Sequence, residues 1–146
     1  MPAGVFTAQQ RAFLAVQRVG HLATADTGGR PHVVPVCYAF DDHAVYIALD
    51  AKPKRVAAQE LKRVRNIRDN PQVALVVDRY AEDWTQLAYL LIRGIATLLD
   101  SRTPEHQRAI MLLRERYPQY HAMPIEHQPV IAIKATSVIE WASSPV

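Results

Sequence analysis

The residues in this sequence with the clearest chemical potential are cationic side chains concentrated in one segment. Between residues 52 and 68 the chain holds one acid, Glu60, and seven cations: Lys52, Lys54, Arg55, Lys62, Arg63, Arg65 and Arg68. The segment therefore carries a net charge of +6 in a chain whose total is +3, which leaves −3 for the remainder. A uniformly basic surface is typical of nucleic-acid binding, whereas one basic segment on a mildly acidic body favours a local anion site.

Phosphate is the anion that this segment fits best, because of the elements predicted around it. Residues 50–54 are predicted as a loop that leaves a strand, and residues 55–68 as a helix with apolar residues near helical spacing. Such a junction presents free backbone N–H groups and the positive end of the helix dipole. A solvated basic face is the alternative interpretation. RNA or DNA binding is disfavoured, because no aromatic side chains are interleaved with these cations.

Other kinds of site chemistry find little support. The six histidines are scattered without the i, i+4 spacing of zinc enzymes, and Cys37 is the single cysteine. The sequence holds neither Gly-x-Ser-x-Gly nor Gly-x-Gly-x-x-Gly, which argues against a serine nucleophile and a Rossmann dinucleotide site. We therefore expect no bound metal and assign no catalytic acid, base or nucleophile.

Aromatic and proline residues supply two more candidate surfaces. Trp84, Tyr80 and Trp141 either line a cofactor or substrate or pack in the core or an interface. Pro31 and Pro35 fall in a predicted strand, where proline cannot donate a ladder hydrogen bond. That strand is expected to border an edge or split of the sheet, or to lie against a ligand.

Six strands and three helices are predicted to position these residues. The helices span residues 8–19, 55–68 and 103–117, and the strands span 21–25, 32–40, 44–49, 72–78, 87–99 and 130–142. Thr7 and Thr103 are predicted to cap their helices, and Pro104 follows the second cap at the first helical position. The strand over 72–78 is apolar on both faces and is expected to be central, and Gly94 predicts a bulge or bend in the strand over 87–99. Residues 118–129, which include three prolines, are predicted as an irregular crossing. Because strands follow one another with helices inserted rather than alternating, the order favours a mainly β fold with peripheral helices, a six-stranded antiparallel split barrel. Residues 1–146 are predicted to form one domain.

The composition is that expected of a cytoplasmic protein. Apolar residues make up 49% and charged residues 21% of the chain. The first ten residues lack the pattern of a signal peptide, and the apolar stretch at residues 87–92 is too short to span a bilayer. A single cysteine allows no intrachain disulfide and fits a reducing compartment. We expect no membrane contact.

Two motifs resemble those of the pyridoxamine-phosphate-oxidase-like family of flavin-binding split barrels. They are Gly29-Arg30-Pro31-His32-Val33-Val34-Pro35-Val36 and Asn66-Ile67-Arg68-Asp69-Asn70-Pro71-Gln72-Val73, and the similarity runs from residue 7 to residue 142. The resemblance implies a homodimer with two cofactor sites between the subunits. It places the flavin-type ring along Val34, Pro35 and Val36. It places the phosphate at the end of the third strand and the basic loop and helix: Leu49, Asp50, Ala51, Lys52, Lys54, Arg55 and Arg63.

Within that family, residues 50–54 and the segment 82–84, which contains Trp84, resemble a subgroup that uses the deazaflavin coenzyme F420. We therefore expect an F420-dependent oxidoreductase, a reductase that transfers a hydride between coenzyme F420 and a small conjugated organic substrate. An FMN-dependent oxidoreductase and a non-catalytic carrier of F420 or flavin are the alternatives. The cofactor carries the hydride, so no acid–base triad is required. Whether Lys52, Lys54 or Arg63 makes the main phosphate contact is left open by the sequence.

Overall fold

The computed structural model describes residues 4–49 and 61–143, which form one curled antiparallel sheet with three α-helices. The helices are α1 (Ala8–Val16), α2 (Lys62–Asp69) and α3 (Pro104–Arg116). The described strands are β1 (Gly20–Ala25), β2 (Pro31–Val36), β3 (Ala39–Phe40), β4 (Val45–Ala48), β5 (Gln72–Arg79), β6 (Ala88–Leu99) and β7 (Val130–Ala142). Their order across the sheet is β2-β1-β5-β6-β7-β4-β3. The predicted split-barrel class is confirmed.

The predicted strand over residues 32–40 is wrong, because the chain leaves the sheet in its middle. β2 and β3 lie at opposite edges of the sheet, and two residues, Cys37 and Tyr38, connect them. The Tyr117 hydroxyl accepts from the Tyr38 backbone N–H at 3.1 Å and donates to the Tyr38 carbonyl at 3.0 Å. Since both backbone groups of Tyr38 are satisfied by a side chain, this residue needs no strand partner. The described sheet therefore has seven strands rather than six.

Helix α1 begins as predicted and ends three residues early. Thr7 and Gln10 form a capping box, in which each side chain bonds the backbone N–H of the other residue. The predicted end at residue 19 is wrong, because Gln17 already has an extended backbone. The Tyr38 hydroxyl donates to the Leu14 and Gln17 carbonyls, and Arg116 also donates to carbonyls of this last turn. These side chains satisfy the carbonyl groups that a longer helix would have satisfied.

The two longest strands, β6 and β7, form the middle of the sheet. The predicted irregularity at Gly94 is confirmed, since the register of β6 on β7 shifts between Arg93 and Gly94. An added Cβ at Gly94 would lie 2.4 Å from the Lys134 carbonyl oxygen, closer than any side chain allows. β5, predicted to be central because both of its faces are apolar, lies between β1 and β6.

Two groups of buried apolar side chains hold the fold together. The first fills the inside of the curled sheet and includes residues of α1 and α2, among them Leu14, Leu22, Val64, Leu75, Ile92 and Ile133. The second joins the sheet to α3 and the crossing that follows it, and includes Tyr46, Ala109, Leu113, Tyr117 and Ile125. The crossing, predicted as irregular, contains two short 3-10 helices, Pro118–Ala122 and Ile125–His127.

Helices α2 and α3 differ in how well their starts could be predicted. Thr103 caps α3 by accepting from the His106 backbone N–H, and Pro104 is its first residue, as predicted. The described α2 begins at Lys62, because Leu61 has an extended ψ of 140°. The predicted earlier part, residues 55–60, lies outside the described residues. Of the helices in the described ranges, none has the length and apolar composition needed to cross a bilayer.

Candidate functional site

The candidate site lies at the split of the barrel, where β2 faces β4 without hydrogen-bonded pairing. β2 is an edge strand that pairs with β1, which explains why it tolerates Pro31 and Pro35. β3 covers β4 at Val45 and Tyr46. The following two residues, Ile47 and Ala48, pair with β7 and extend beyond the two residues of β3. The backbones thus separate and leave a gap.

A pocket with a volume of ≈ 240 Å³ occupies this gap. Its lining comes from both sides of the split, from α2 and from the crossing after α3: Val19, Pro35, Val36, Cys37, Ile47, Ala48, Arg63 and Tyr120. We call it the split pocket. Most of these side chains are apolar, and Arg63 is the charged member among the described lining residues. The pocket therefore suits a ligand with a flat apolar part and an anionic part.

Arg63 reaches the split pocket because α2 is fixed in rotation by its buried neighbours. Val64 and Ile67 are buried in the first apolar group. Asn66, also buried, donates from its side-chain amide to the Thr24 hydroxyl of β1 at 3.0 Å. Residues 63, 66 and 67 lie on one side of a helix, at spacings of three and four. Packing of that side on the barrel therefore directs the Arg63 guanidinium to the pocket, where a half-buried cation attracts anions more strongly than an exposed one.

The other described cations of the basic segment have different surroundings. The Lys62 ammonium lies 3.9 Å from a carboxylate oxygen of Asp26 in the turn between β1 and β2. Hydrogen bonds from the backbone and side chain of Arg30 hold the pKa of Asp26 below its usual value, which keeps this partner charged. Arg65 and Arg68 are exposed. Within the described part of α2, Arg63 is thus the cation that lines the split pocket.

The structure brings together some of the residues predicted to bind the cofactor. Pro35, Val36 and Arg63 line one pocket, although 27 positions separate the last two in the sequence. Val34 neighbours them on β2 and packs against the first apolar group. Leu49 follows β4 and is buried in that same group. Five predicted residues lie outside the described ranges: Asp50, Ala51, Lys52, Lys54 and Arg55.

Trp84 lies outside the described lining of the split pocket. It begins a short 3-10 helix, Trp84–Gln86, between β5 and β6, and Asp83 caps this turn by accepting from the Thr85 N–H. The Trp84 side chain is 67% exposed. In its own chain it therefore faces solvent, and a role in binding requires a second copy or a ligand that extends beyond the split pocket.

Sequence reasoning missed five residues of the lining: Val19, Cys37, Ile47, Ala48 and Tyr120. Cys37 directly follows the residues predicted to contact the ring, so extending that prediction by one position would have included it. Ile47 and Ala48 were assigned to a strand, but which strand faces β2 depends on how the sheet curls. Tyr120 comes from the proline-rich crossing, and no local pattern indicates where such a segment packs.

The outer side of the sheet carries a row of residues that crosses five strands. Direct pairing places Pro35 beside His21, His21 beside Val76, Val76 beside Leu91, and Leu91 beside Ile139. We call these five residues the outer row. Pro35, His21 and Ile139 are exposed, and Val76 and Leu91 are half-buried. Val33, on the same side of β2, is 63% exposed. This largely apolar strip begins at the split pocket, because Pro35 belongs to both.

Comparison with known proteins agrees with this architecture. The profile of the pyridoxamine 5'-phosphate oxidase family matches residues 6–142. A 5a,11a-dehydrotetracycline/5a,11a-dehydrooxytetracycline reductase from Streptomyces rimosus subsp. rimosus is 33% identical over 73 residues, which are 50% of this chain and 49% of that protein. The matched segment thus spans about half the length of that relative.

Two solved structures show the same fold. The haem storage protein HutZ from Vibrio cholerae superimposes with a TM-score of 0.74 at 15% identity, covering 92% of both chains. A structure described as an F420 reductase superimposes with a TM-score of 0.66 at 22% identity, covering 88% of this chain and 94% of that one. Since the family match extends over nearly all described elements and both structures share the split barrel, the chain belongs to the pyridoxamine 5'-phosphate oxidase family.

Proposed function

We propose that this protein is a cytoplasmic, homodimeric F420-dependent reductase of a small conjugated organic substrate. The observation that carries the proposal is the position of Arg63 beside Pro35 and Val36 in the split pocket. Pro35 and Val36 belong to the first of the two motifs, and Arg63 lies in the basic helix that leads into the second. Folding places all three in one cavity. The relative that reduces dehydrotetracyclines and the fold shared with an F420 reductase favour this choice of reaction and cofactor.

The split pocket fits one part of such a cofactor. Its volume of ≈ 240 Å³ is below the range of roughly 300–1,000 Å³ typical of whole drug-sized ligands. In the proposed complex, Pro35, Val36 and Ile47 exclude water from one face of the ring, and Arg63 holds an anionic group. Further contacts are assigned to residues 50–55, as expected from the sequence. When bound, the deazaflavin supplies the hydride, and the chain supplies position and charge.

The dimer is proposed from the outer row. This largely apolar strip is exposed at Pro35 and Ile139 and half-buried at Val76 and Leu91, and dimer formation would remove it from water. A two-fold axis near this strip would bury it against its own copy, as self-complementary dimer interfaces require. The dimer would also provide a partner surface for the exposed Trp84, which we assign to the cofactor site of the other subunit.

An FMN-dependent oxidoreductase is the second candidate, because the family match itself points to flavin. FMN has one phosphate, whereas F420 continues into an acidic oligoglutamate tail. Exposed charge pairs are screened by salt. If F420 is the ligand and its tail contacts the exposed Arg65 and Arg68, its affinity falls more steeply with added salt than that of FMN. Equal salt dependence, or tighter FMN binding at moderate ionic strength, would favour the FMN enzyme.

The deciding experiment is titration of the purified protein with F420 and FMN separately, after its absorption spectrum has been recorded. Arg63→Gln is expected to weaken cofactor binding by about 10- to 100-fold, the range for loss of one charge-assisted hydrogen bond. Arg102→Gln, which removes an exposed cation just before α3, is the matched control and should bind normally.

Three outcomes would overturn the proposal. They are failure to bind either cofactor, equal affinity of the Arg63 and Arg102 variants, and a spectrum with the Soret band of haem. Binding of F420 without reduction of any conjugated substrate would instead support the alternative that the protein is a non-catalytic F420 carrier.

A further inference from the structure

A second cavity lies between α1 and the strand ends of β5, β6 and β7. Its volume is ≈ 280 Å³, and we call it the α1 pocket. It shares no described lining residue with the split pocket. A substitution in the lining of one cavity therefore leaves the described lining of the other unchanged, so the two sites can be tested separately.

Aromatic side chains form much of the wall of the α1 pocket. Tyr89 and Trp141 are direct partners across β6 and β7, and their rings stack with centroids 5.9 Å apart and planes inclined by 23°. Phe13 of α1 lines the same cavity. Trp141 remains 46% exposed in spite of this stack. A stacked pair with an open ring beside a cavity presents a flat surface that another planar ring can cover.

One guanidinium gives the cavity its charge preference. Arg79 lies with its central carbon 5.9 Å from the Phe13 ring centroid and donates from Nε to the Gln86 carbonyl at 2.6 Å. None of the ion pairs found among the described residues involves Arg79. The acid in the lining, Glu140, is exposed and accepts a hydrogen bond from the Gln10 side chain at 3.4 Å. The half-buried cation thus has remaining donors for an acidic ligand, while water screens the carboxylate.

We propose that the α1 pocket binds a small planar aromatic molecule that carries an acidic group. Its ring packs against Trp141 and Tyr89, and its carboxylate or equivalent anion pairs with Arg79. The size of the cavity suits one or two fused rings. A larger polycyclic molecule would extend past the open side of Trp141.

The chain offers its own reporter for this site, because it contains two tryptophans and one of them lines the pocket. The probe is 2-naphthoate, which combines two fused rings with one carboxylate. In Trp84→Phe, where Trp141 is the remaining tryptophan, naphthoate is expected to change the fluorescence in a saturable manner. In Trp141→Phe, where Trp84 remains, the change should be lost. A saturable change from Trp84 alone, or from neither tryptophan, would overturn the proposal.

Two variants test the walls of the pocket by calorimetric titration of the same probe. Ala12 and Ala15 are both exposed on α1, but Ala12 lines the α1 pocket and Ala15 does not. Ala12→Glu is expected to weaken naphthoate binding by about 10-fold through size and charge, whereas Ala15→Glu should bind as the unchanged protein does. Equal affinities of these two variants would place the probe elsewhere.

A charge test completes the design. Arg79→Gln should weaken binding of naphthoate by about 10-fold and leave binding of the neutral 2-naphthamide nearly unchanged. Equal effects on both probes would show that Arg79 acts through packing and would overturn the assignment of an acidic ligand. Arg63→Gln should leave naphthoate affinity unchanged, which separates this site from the proposed cofactor site.

Discussion

Asp41 is a point where one carboxylate organises several elements. It lies in the turn between β3 and β4 and accepts from the backbone N–H groups of His43 and Ala44, at 2.8 and 2.9 Å. Its other oxygen accepts from Tyr46 at 3.1 Å and from Arg108 of α3 at 2.9 Å. The ionised side chain therefore holds a β-turn and a helix together, and this role needs its negative charge.

The acid sensitivity of the fold is expected to depend on this carboxylate. Burial pushes the pKa of Asp41 upward, but the hydrogen bonds from Arg108, His43 and Ala44 outweigh it and lower the pKa below its ordinary value. A lowered pKa in the folded state contributes stability that is present above the unfolded pKa and lost as pH falls through the folded one. The contribution of Asp41 to the free energy of unfolding should therefore begin to fall below about pH 4, the ordinary range for aspartate, and be lost as the pH passes through the lowered pKa of the folded state.

Urea unfolding at a series of pH values measures this contribution. Asp41→Asn should lower stability at pH 7 and flatten its decline toward acid pH. Asp42→Asn, a change at the exposed neighbouring aspartate, serves as the control. An acid decline that is as steep in Asp41→Asn as in the unchanged protein would assign the effect to other groups.

Among the elements, the β6–β7 pair contains a bulge at Gly94 where the two backbones lie very close together. At the bulge, the β7 backbone approaches Gly94 so closely that a Cβ would meet the Lys134 carbonyl oxygen at 2.4 Å and its carbonyl carbon at 3.0 Å. These are backbone atoms in the middle of the sheet, which cannot move without disturbing the ladder. Gly94→Ala should therefore lower the free energy of unfolding by about 3 kcal/mol, at the upper end of the cost of overpacking.

Gly28→Ala is the matched control for this change. A Cβ at Gly28 would meet only the Asp26 side chain, at 3.4 Å, in an exposed turn. We expect its effect on urea unfolding to stay within about 0.5 kcal/mol. If both alanine variants lose equal stability, the close approach of the backbones at the bulge is not the cause of the loss in Gly94→Ala.

The elements also show what the sequence could predict. Local patterns sufficed for the caps at Thr7 and Thr103, for the bulge at Gly94 and for the edge position of Pro31 and Pro35, because each depends on neighbouring residues. The interruption at Tyr38 could not be foreseen in the same way. It depends on the Tyr117 hydroxyl, 79 residues away, which replaces strand hydrogen bonds that the local sequence alone would favour.

The residues of the candidate site also differ in whether the sequence could predict them. The first motif and the basic helix marked Pro35, Val36 and Arg63, and folding brings these three together. They gave no indication that Ile47 and Tyr120 would complete the lining, since that depends on the curl of the sheet and the packing of the crossing. The placement of Trp84 near the cofactor has no support within one chain and remains a prediction that depends on the dimer.

At the scale of the whole molecule, dimerisation is the property that the outer row predicts. Ile139 lies at one end of the row and is 42% exposed. Ile139→Lys should shift the protein from dimer to monomer, because the free-energy penalty of burying two unpaired ammonium groups exceeds the stabilisation from the interface contact. Sedimentation velocity at micromolar concentration measures this shift. Met111→Lys on α3, where an exposed apolar residue lies off the sheet, is the control and should remain dimeric.

The result for these two variants also tests where the dimer forms. A dimer that survives Ile139→Lys but not Met111→Lys would move the interface to α3. A protein that is monomeric without any substitution would remove the proposed shared cofactor site and the assigned role of Trp84.

The short connection through Cys37 and Tyr38 has a thermodynamic consequence for the whole barrel. The width of the split is set there by bonds from Tyr38 to α1 and to Tyr117 at the end of α3, and not by strand pairing. A ligand that prefers one width of the gap must therefore favour one arrangement of those helices. By linkage, a substitution that shifts the helices away from that arrangement weakens binding of the ligand. Affinity at the split is thus controlled partly by residues of α1 and α3 that lie outside the split pocket.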